Sequence, residues 1–202
     1  MAKLFFRYSA MDAGKTLDLL KVAYNYNDRG QRTLIITSSI DRRAGDNKVK
    51  SRIGLDKEAI STNINDNLFK LVEKENQNQK FACVLIDEIH FFSVEQIDQI
   101  SDIVDYLNIP VICYGLRSDY CGRVFDSSAH LLAIADTLEE LKTICHCGSK
   151  ATFNMLVQNG KVIKSGTPIV VDDNQLKSKD SFYISVCRKH WKEGNFGSRN
   201  IK

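Results

Sequence analysis

The chain has 202 residues, 43% of them hydrophobic, enough to bury the core of one main domain with room for a small second module, and it is not a cysteine-stapled peptide. Its formal net charge of +3 is too mild to argue for a nucleic-acid partner, which asks for a clustered basic face. The longest apolar runs are strand-sized and no charged-then-apolar leader opens the sequence, so neither a signal peptide nor a membrane span is expected, and a cytoplasmic location follows by default.

Leu4, Phe5, Phe6 and Tyr8 suit a strand, and Leu17, Leu20 and Tyr24 recur at helical spacing. Between them lies Ser9-Ala10-Met11-Asp12-Ala13-Gly14-Lys15-Thr16. In that setting backbone N–H groups and a helix N-terminus can surround a polyphosphate, a lysine can reach its terminal oxygens, and a hydroxyl can bind Mg²⁺. Ser9 stands where the usual pattern has glycine, and a bare Gly-Lys-Thr also fits a lysine-capped turn. Asp28-Arg29-Gly30 reads as a helix end, and Thr33 to Thr37 as a buried strand. Ile40 to Gly54, with Asp41, Arg42, Arg43, Lys48, Lys50 and Arg52, reads as a mobile basic loop or a plain solvated connection.

Leu68, Phe69, Leu71 and Val72 mark a short helix, followed by a polar connection from Lys74 to Lys80. The apolar run Phe81 to Ile86 then ends in Asp87-Glu88, the pattern of a central parallel strand with carboxylates at its C-terminal edge. Ser93 and Gln96 form a capping box for a helix carrying Ile97, Ile100, Val104 and Leu107, stopped before Pro110. Val111 to Leu116 is the next strand, Arg117 to Phe125 a polar and aromatic loop, and Ser127 to Ala135 a short helix. Strands alternating with helices predict a parallel α/β sheet covered on both faces.

From about Leu138 the pattern changes to short strands, Leu141 to Ile144, Phe153 to Val157 and Lys161 to Ile163, with Gln158-Asn159-Gly160 as a hairpin turn. The expected division is a nucleotide-binding domain over 1–137, a small β module over 138–194 and a disordered tail over 195–202. The loop from Ser165 to Phe182 is long enough to be functional or disordered.

Two constellations carry chemistry. Thr16 and Asp87 suit Mg²⁺ and Lys15 the transferred phosphoryl group, leaving Glu88 to take a proton from an attacking hydroxyl or orient a water. An N-cap pair at Asp87-Glu88 is the plainer alternative. Cys145-His146-Cys147 with Cys187 and His190 suits a structural tetrahedral Zn²⁺. His146 competes as a ligand, and unrelated surface thiols remain the alternative. Cys83, Cys113 and Cys121 read as core residues, and Met155 and Trp191 as packing. Phe91, Phe92, Tyr120, Phe125 and Tyr183 with His90 either sandwich a nucleobase or belong to the core.

Tyr8 to Thr16, Asp41-Arg42-Arg43, Ile86 to Phe91, Cys113 to Arg117, Leu141 to Cys145 and Tyr183 to His190 resemble, in order and spacing, the small zinc-containing thymidine kinases of bacteria and the animal cytosol. The resemblance implies a RecA-like P-loop α/β domain with a parallel sheet, a zinc-containing lasso domain, a homotetramer, ATP and thymidine as substrates, and feedback inhibition by dTTP. It assigns the donor site to Ser9, Ala10, Met11, Asp12, Ala13, Gly14, Lys15, Thr16, Asp41, Arg43 and the stretch Asp87-Glu88-Ile89-His90, with no separate role for Ile89 and His90. Glu88 is the implied base towards the thymidine 5′-hydroxyl, and Met11, Phe91, Leu116, Tyr120, Phe125 and Tyr183 surround the nucleoside. Cys145, Cys147, Cys187 and His190 match the zinc ligands. The phosphate loop and Asp87-Glu88 alone also permit a nucleic-acid-stimulated ATPase with a zinc-ribbon module, against which the modest charge and the lack of a basic aromatic strip both count.

Overall fold

A computed structural model of the chain describes residues 1–41, 45, 47–166 and 181–198. Expectations about Arg42, Arg43, most of the 165–182 loop and the end of the tail therefore lie outside the described residues. In chain order the elements are β1 (Leu4–Ser9), α1 (Lys15–Asn27), β2 (Thr33–Ser38), β3 (Lys48–Lys50), β4 (Asp56–Glu58), β5 (Ile60–Thr62), α2 (Leu68–Asn78) and β6 (Cys83–Ile86). A 3-10 turn (Ile89–Phe91), α3 (Val94–Leu107), β7 (Val111–Leu116), α4 (Asp126–Ile134) and β8 (Thr137–Glu140) follow. Last come β9 (Thr143–Ile144), β10 (Lys150–Ala151), β11 (Phe153–Gln158), β12 (Lys161–Ile163), β13 (Ser181–Val186) and α5 (Arg188–Glu193).

The main sheet has the order β5-β2-β6-β7-β1-β8 with every pair parallel. β6 and β7 are buried at every position, as their unbroken apolar runs require of strands covered on both faces. The connection β1–α1–β2 crosses the sheet in one direction, whereas α2, α3 and α4 return in the other. Right-handed crossovers then put α1 on one face and the other three on the opposite one. The cores agree: Leu19, Leu20 and Ala23 of α1 pack with Ile35, Leu85 and Tyr114, and Leu68, Val72, Ile97, Ile100 and Leu131 pack with Phe6, Ile36 and Ile86. The Ser93/Gln96 capping box forms as expected.

Three local readings change. The basic stretch after β2 is in part a hairpin, β3 against β4. α2 runs on to Asn78 through the polar residues read as a connection, because those residues lie on its exposed side while Asn76 Oδ1 accepts from Phe81 N–H at 2.8 Å. β8 adds a sixth strand that Thr-Leu-Glu-Glu does not advertise. Its place is set by Arg7 of β1, whose guanidinium meets Glu139 at 2.7 Å as well as Asp18 of α1 at 2.6 Å and the Tyr114 hydroxyl of β7 at 3.1 Å. Charged residues suit a strand at a sheet edge.

The small module has the antiparallel sheet β12-β11-β13 and the β9–β10 hairpin. Its core holds Met155, Val157 and Val186, against which Phe153 and Trp191 stack. The β11–β12 turn puts Asn159 (φ 49°) and Gly160 (φ 71°) in the left-handed region, as a tight primed turn demands. An α/β main sheet with a small β module is thus the architecture expected from the sequence.

Gly115 of β7 is required by close approach. A Cβ there would lie 2.6 Å from Ile89 Cγ2 and 3.3 Å from the His90 nitrogen, in the turn that follows Glu88. Gly115→Ala should therefore cost about 1–3 kcal/mol and lower Tm by several degrees in a thermal melt; an unchanged Tm would refute this fit.

Candidate functional site

Parallel pairing brings the C-terminal ends of β1, β2, β6 and β7 to one edge of the sheet, where open α/β sheets bind ligands. β1 ends at Ser9 and the loop after it begins at Ala10, both buried, and continues through Met11, Asp12 and Ala13. Its left-handed positions are Asp12 (φ 61°) and Gly14 (φ 76°), the latter at the N-cap of α1. Ser9 is still part of β1, so the position where the usual pattern has glycine needs no special backbone here, and Asp tolerates the left-handed region better than most residues. Lys15 is buried, and its Nζ donates to Ser9 Oγ and the Ala10 carbonyl, both at 3.2 Å. Asp12 pairs with Arg52 from the β3–β4 hairpin.

Across the edge, Thr16 Oγ1 donates to Asp87 Oδ2 at 2.9 Å. This contact joins the phosphate loop to the carboxylates after β6. Burial, reinforced by the neighbouring Glu88 charge, pushes the Asp87 carboxyl up to about 7 despite the Thr16 hydrogen bond and the Lys15 charge. Glu88 follows in the left-handed region, φ 51° and ψ 41°, a conformation costing a non-glycine residue roughly 1–3 kcal/mol and concentrated at functional sites. Its Oε2 lies 3.5 Å from His90 Nδ1, which accepts from Leu116 N–H at 3.2 Å. Ile89 is fully buried beneath, and the buried His90 ring lies between Phe91 and Phe125 at 4.1 and 4.9 Å.

The remaining aromatic candidates gather around this edge. Leu116 ends β7, Tyr120 and Phe125 lie in the loop after it, and the Tyr120 and Tyr183 rings are 6.2 Å apart. Leu116, Tyr120 and Phe125 are buried, whereas Tyr183 is partly exposed. Asp41 follows β2, with its N–H on the Ser38 carbonyl at 3.1 Å. Arg43 lies outside the described residues.

Sequence reasoning missed how the small module grips this edge. Asn154 and Ser185 hydrogen-bond Met11, and Trp191 Nε1 donates to the Tyr120 carbonyl at 3.0 Å. Nothing in the pattern of β11 or β13 singles out Asn154 or Ser185, because their partners are backbone groups far away in the chain.

Cys145, Cys147, Cys187 and His190 place their ligand atoms within 4.8 Å of one another. Cys145 and Cys187 sulfurs stand 3.3 and 3.5 Å from His190 Nδ1, close to the edges of about 3.5 Å between S and N ligands of a tetrahedral zinc shell. Hydrogen bonds from the Ser149 hydroxyl and backbone lower the Cys147 thiol to about 6, which favours the thiolate that metals bind. The donor set therefore fits a structural metal such as zinc. His146 stacks on His190 at 4.3 Å, with its Nδ1 3.6 Å from Cys145 Sγ.

A family model described as thymidine kinase matches residues 2–191. The chain is 70% identical over 194 residues to a thymidine kinase of Francisella tularensis subsp. holarctica, covering 96% of this chain and 98% of that one. It is 49% identical to a thymidine kinase of Mannheimia succiniciproducens, covering 96% of each chain. A thymidine kinase of Haemophilus influenzae is 50% identical, with 96% of this chain and 97% of the relative covered.

Two outcomes are expected. The fold keeps the Asp87 proton up to about pH 7, whereas an unfolded chain releases it near pH 4. Stability from this group is therefore lost as pH rises from about 4 to 7, and the buried charge costs most above that window. Asp87→Asn should raise Tm relative to the parent more at pH 8 than at pH 5 in Mg²⁺-free melts, by about 2–4 °C per kcal/mol recovered; a pH-independent difference would argue against a raised carboxyl. Stripping metal with a chelator should lower the melting temperature, and one equivalent of Zn²⁺ should restore it, since ligands from both ends of the module share one shell. Melting that ignores both treatments would rule out a structural metal.

Proposed function

The chain belongs to the thymidine kinase family, and on that premise we propose that it transfers the γ-phosphoryl group of ATP to the 5′-hydroxyl of thymidine, giving dTMP and ADP. The observation that carries this reading is the Thr16–Asp87 hydrogen bond, which puts the phosphate loop and the acidic end of β6 in one site. Backbone N–H groups of the loop and the N-terminus of α1 hold the donor phosphates. Lys15, now bonded to two neutral oxygens of its own loop, exchanges them for charged phosphate oxygens, which bind an ammonium more strongly. Thr16 and Asp87 would hold Mg²⁺, which supplies charge neutralisation on the β- and γ-phosphates. With a cation beside it, the raised Asp87 carboxyl ionises.

Glu88 is the base. Its backbone is held in a costly conformation and its side chain is largely buried, 12% exposed, so it is aimed and poorly hydrated. Both properties favour taking a proton from a bound hydroxyl. Met11, Phe91, Leu116, Tyr120, Phe125 and Tyr183 line the acceptor side, with Asp41 beside the phosphates; the donor-site role implied for Arg43 lies outside the described residues. The zinc held by the module is structural. A homotetramer inhibited by dTTP and a cytoplasmic location complete the proposal.

Glu88→Gln keeps the shape and removes the basicity. It should lower kcat by about 10²–10⁴-fold while leaving ATP and thymidine binding within a few-fold. Retention of most of the rate would take Glu88 out of the base role. ATP turnover that depends on single-stranded DNA and yields no dTMP would overturn the whole reading.

A further inference from the structure

Asn154 and Ser185 face one another across the β11–β13 ladder, and both are almost wholly buried, 2% and 4% exposed. Asn154 Oδ1 accepts from the Met11 N–H at 2.7 Å, and Ser185 Oγ donates to the Met11 carbonyl at 2.6 Å. One cross-strand pair in the small module thus holds both backbone groups of a residue inside the phosphate loop. The other arm of the amide, Nδ2, donates to the Ser118 carbonyl at 3.0 Å, in the loop that carries Tyr120 and Phe125. A neutral amide side chain can accept from one backbone segment through its oxygen and donate to another through its nitrogen.

From this geometry we infer that Asn154 and Ser185 are positioning residues that lock the donor loop to the acceptor side, so that the phosphate loop and the 117–125 loop keep one spacing during transfer. The inference rests on the functional reading above. The phosphate loop has need of such a restraint: Asp12, next to Met11, is a non-glycine residue in the left-handed region, and such conformations persist where the surroundings over-determine them. The Thr143 hydroxyl adds a contact to the Asp12 carbonyl at 3.3 Å, again from beyond the main sheet. Met11 spends its N–H and its carbonyl on the module, so its backbone ties the loop in place. Transfer needs reacting atoms held to within about an ångström, and small misplacements remote from the chemistry are costly.

The two partners of Asn154 can be separated by substitution in the full-length, metal-loaded protein. Ser185→Ala removes only the donor to the Met11 carbonyl and should raise KM for ATP about fivefold, with a smaller rise in KM for thymidine because Met11 also lines the acceptor side. Asn154→Asp keeps an acceptor for the Met11 N–H but ends donation to Ser118, and should raise KM for thymidine about tenfold with a smaller effect on ATP. Asn154→Ala should raise both. Melting temperatures measured alongside separate positioning from stability, because a merely structural role would lower Tm and shift both KM values together or neither. Should Asn154→Asp not fold, Ser185→Ala decides: affinity for a non-hydrolysable ATP analogue, read by calorimetry without thymidine, should fall about fivefold. Unchanged KM and affinity in Ser185→Ala would overturn the inference. A parent enzyme that makes no dTMP would instead overturn the functional reading, and the calorimetric arm would still test the clamp on the donor loop.

Discussion

Parallel pairing through β1, β2, β6 and β7 is the constraint on which the site depends. Because these strands all run one way, every chain segment leaving them emerges on the same side. A phosphate loop after β1 and a carboxylate pair after β6 then come within one hydrogen bond, Thr16 to Asp87, although β7 lies between their strands. The same parallelism requires long crossovers, and the helices that supply them bury both faces of β6 and β7. Fold stability and site geometry therefore have one origin.

At that edge the balance of charge is close. Asp87 is wholly buried beside Glu88, and desolvation dominates its shift. The Lys15 charge offsets part of that cost, and Arg52 reaches the loop from outside to pair with Asp12. A site organised in this way favours the arrival of cations with a polyanion over either alone, since each neutralises what the other exposes. Glu88 stands apart: its backbone strain sets its direction, and Gly115 leaves the space in which the following turn can sit.

The small module contributes more than a Cys and His cluster that fits a metal. That cluster joins the turn of the β9–β10 hairpin to the N-terminal part of α5. Trp191, adjacent to His190 of the cluster, stacks on Phe153 and donates to the Tyr120 carbonyl. Order in that cluster is thereby linked, through one side chain, to the loop carrying Tyr120 and Phe125. The contacts of Asn154 and Ser185 extend that link to Met11. The module acts as a brace across the two loops.

Local residue patterns by themselves determined the alternation of strands and helices in the main domain, the capping box at Ser93, the Asn159-Gly160 turn, the phosphate loop with its acidic partner strand, and the Cys and His residues that cluster. Each of these is written in neighbouring residues: apolar runs, turn chemistry or short ligand spacing. Tertiary structure alone decided the rest. Thr137 to Glu140 became a strand because Arg7 offers Glu139 a partner, and the polar end of α2 stayed helical because one of its sides faces solvent. Ser9 could replace glycine because the strand has not yet turned there, whereas Asp12 carries the left-handed turn. Asn154, Ser185 and Trp191 left no mark in the sequence, since their partners are backbone carbonyls and N–H groups, which every residue possesses and only folding brings near.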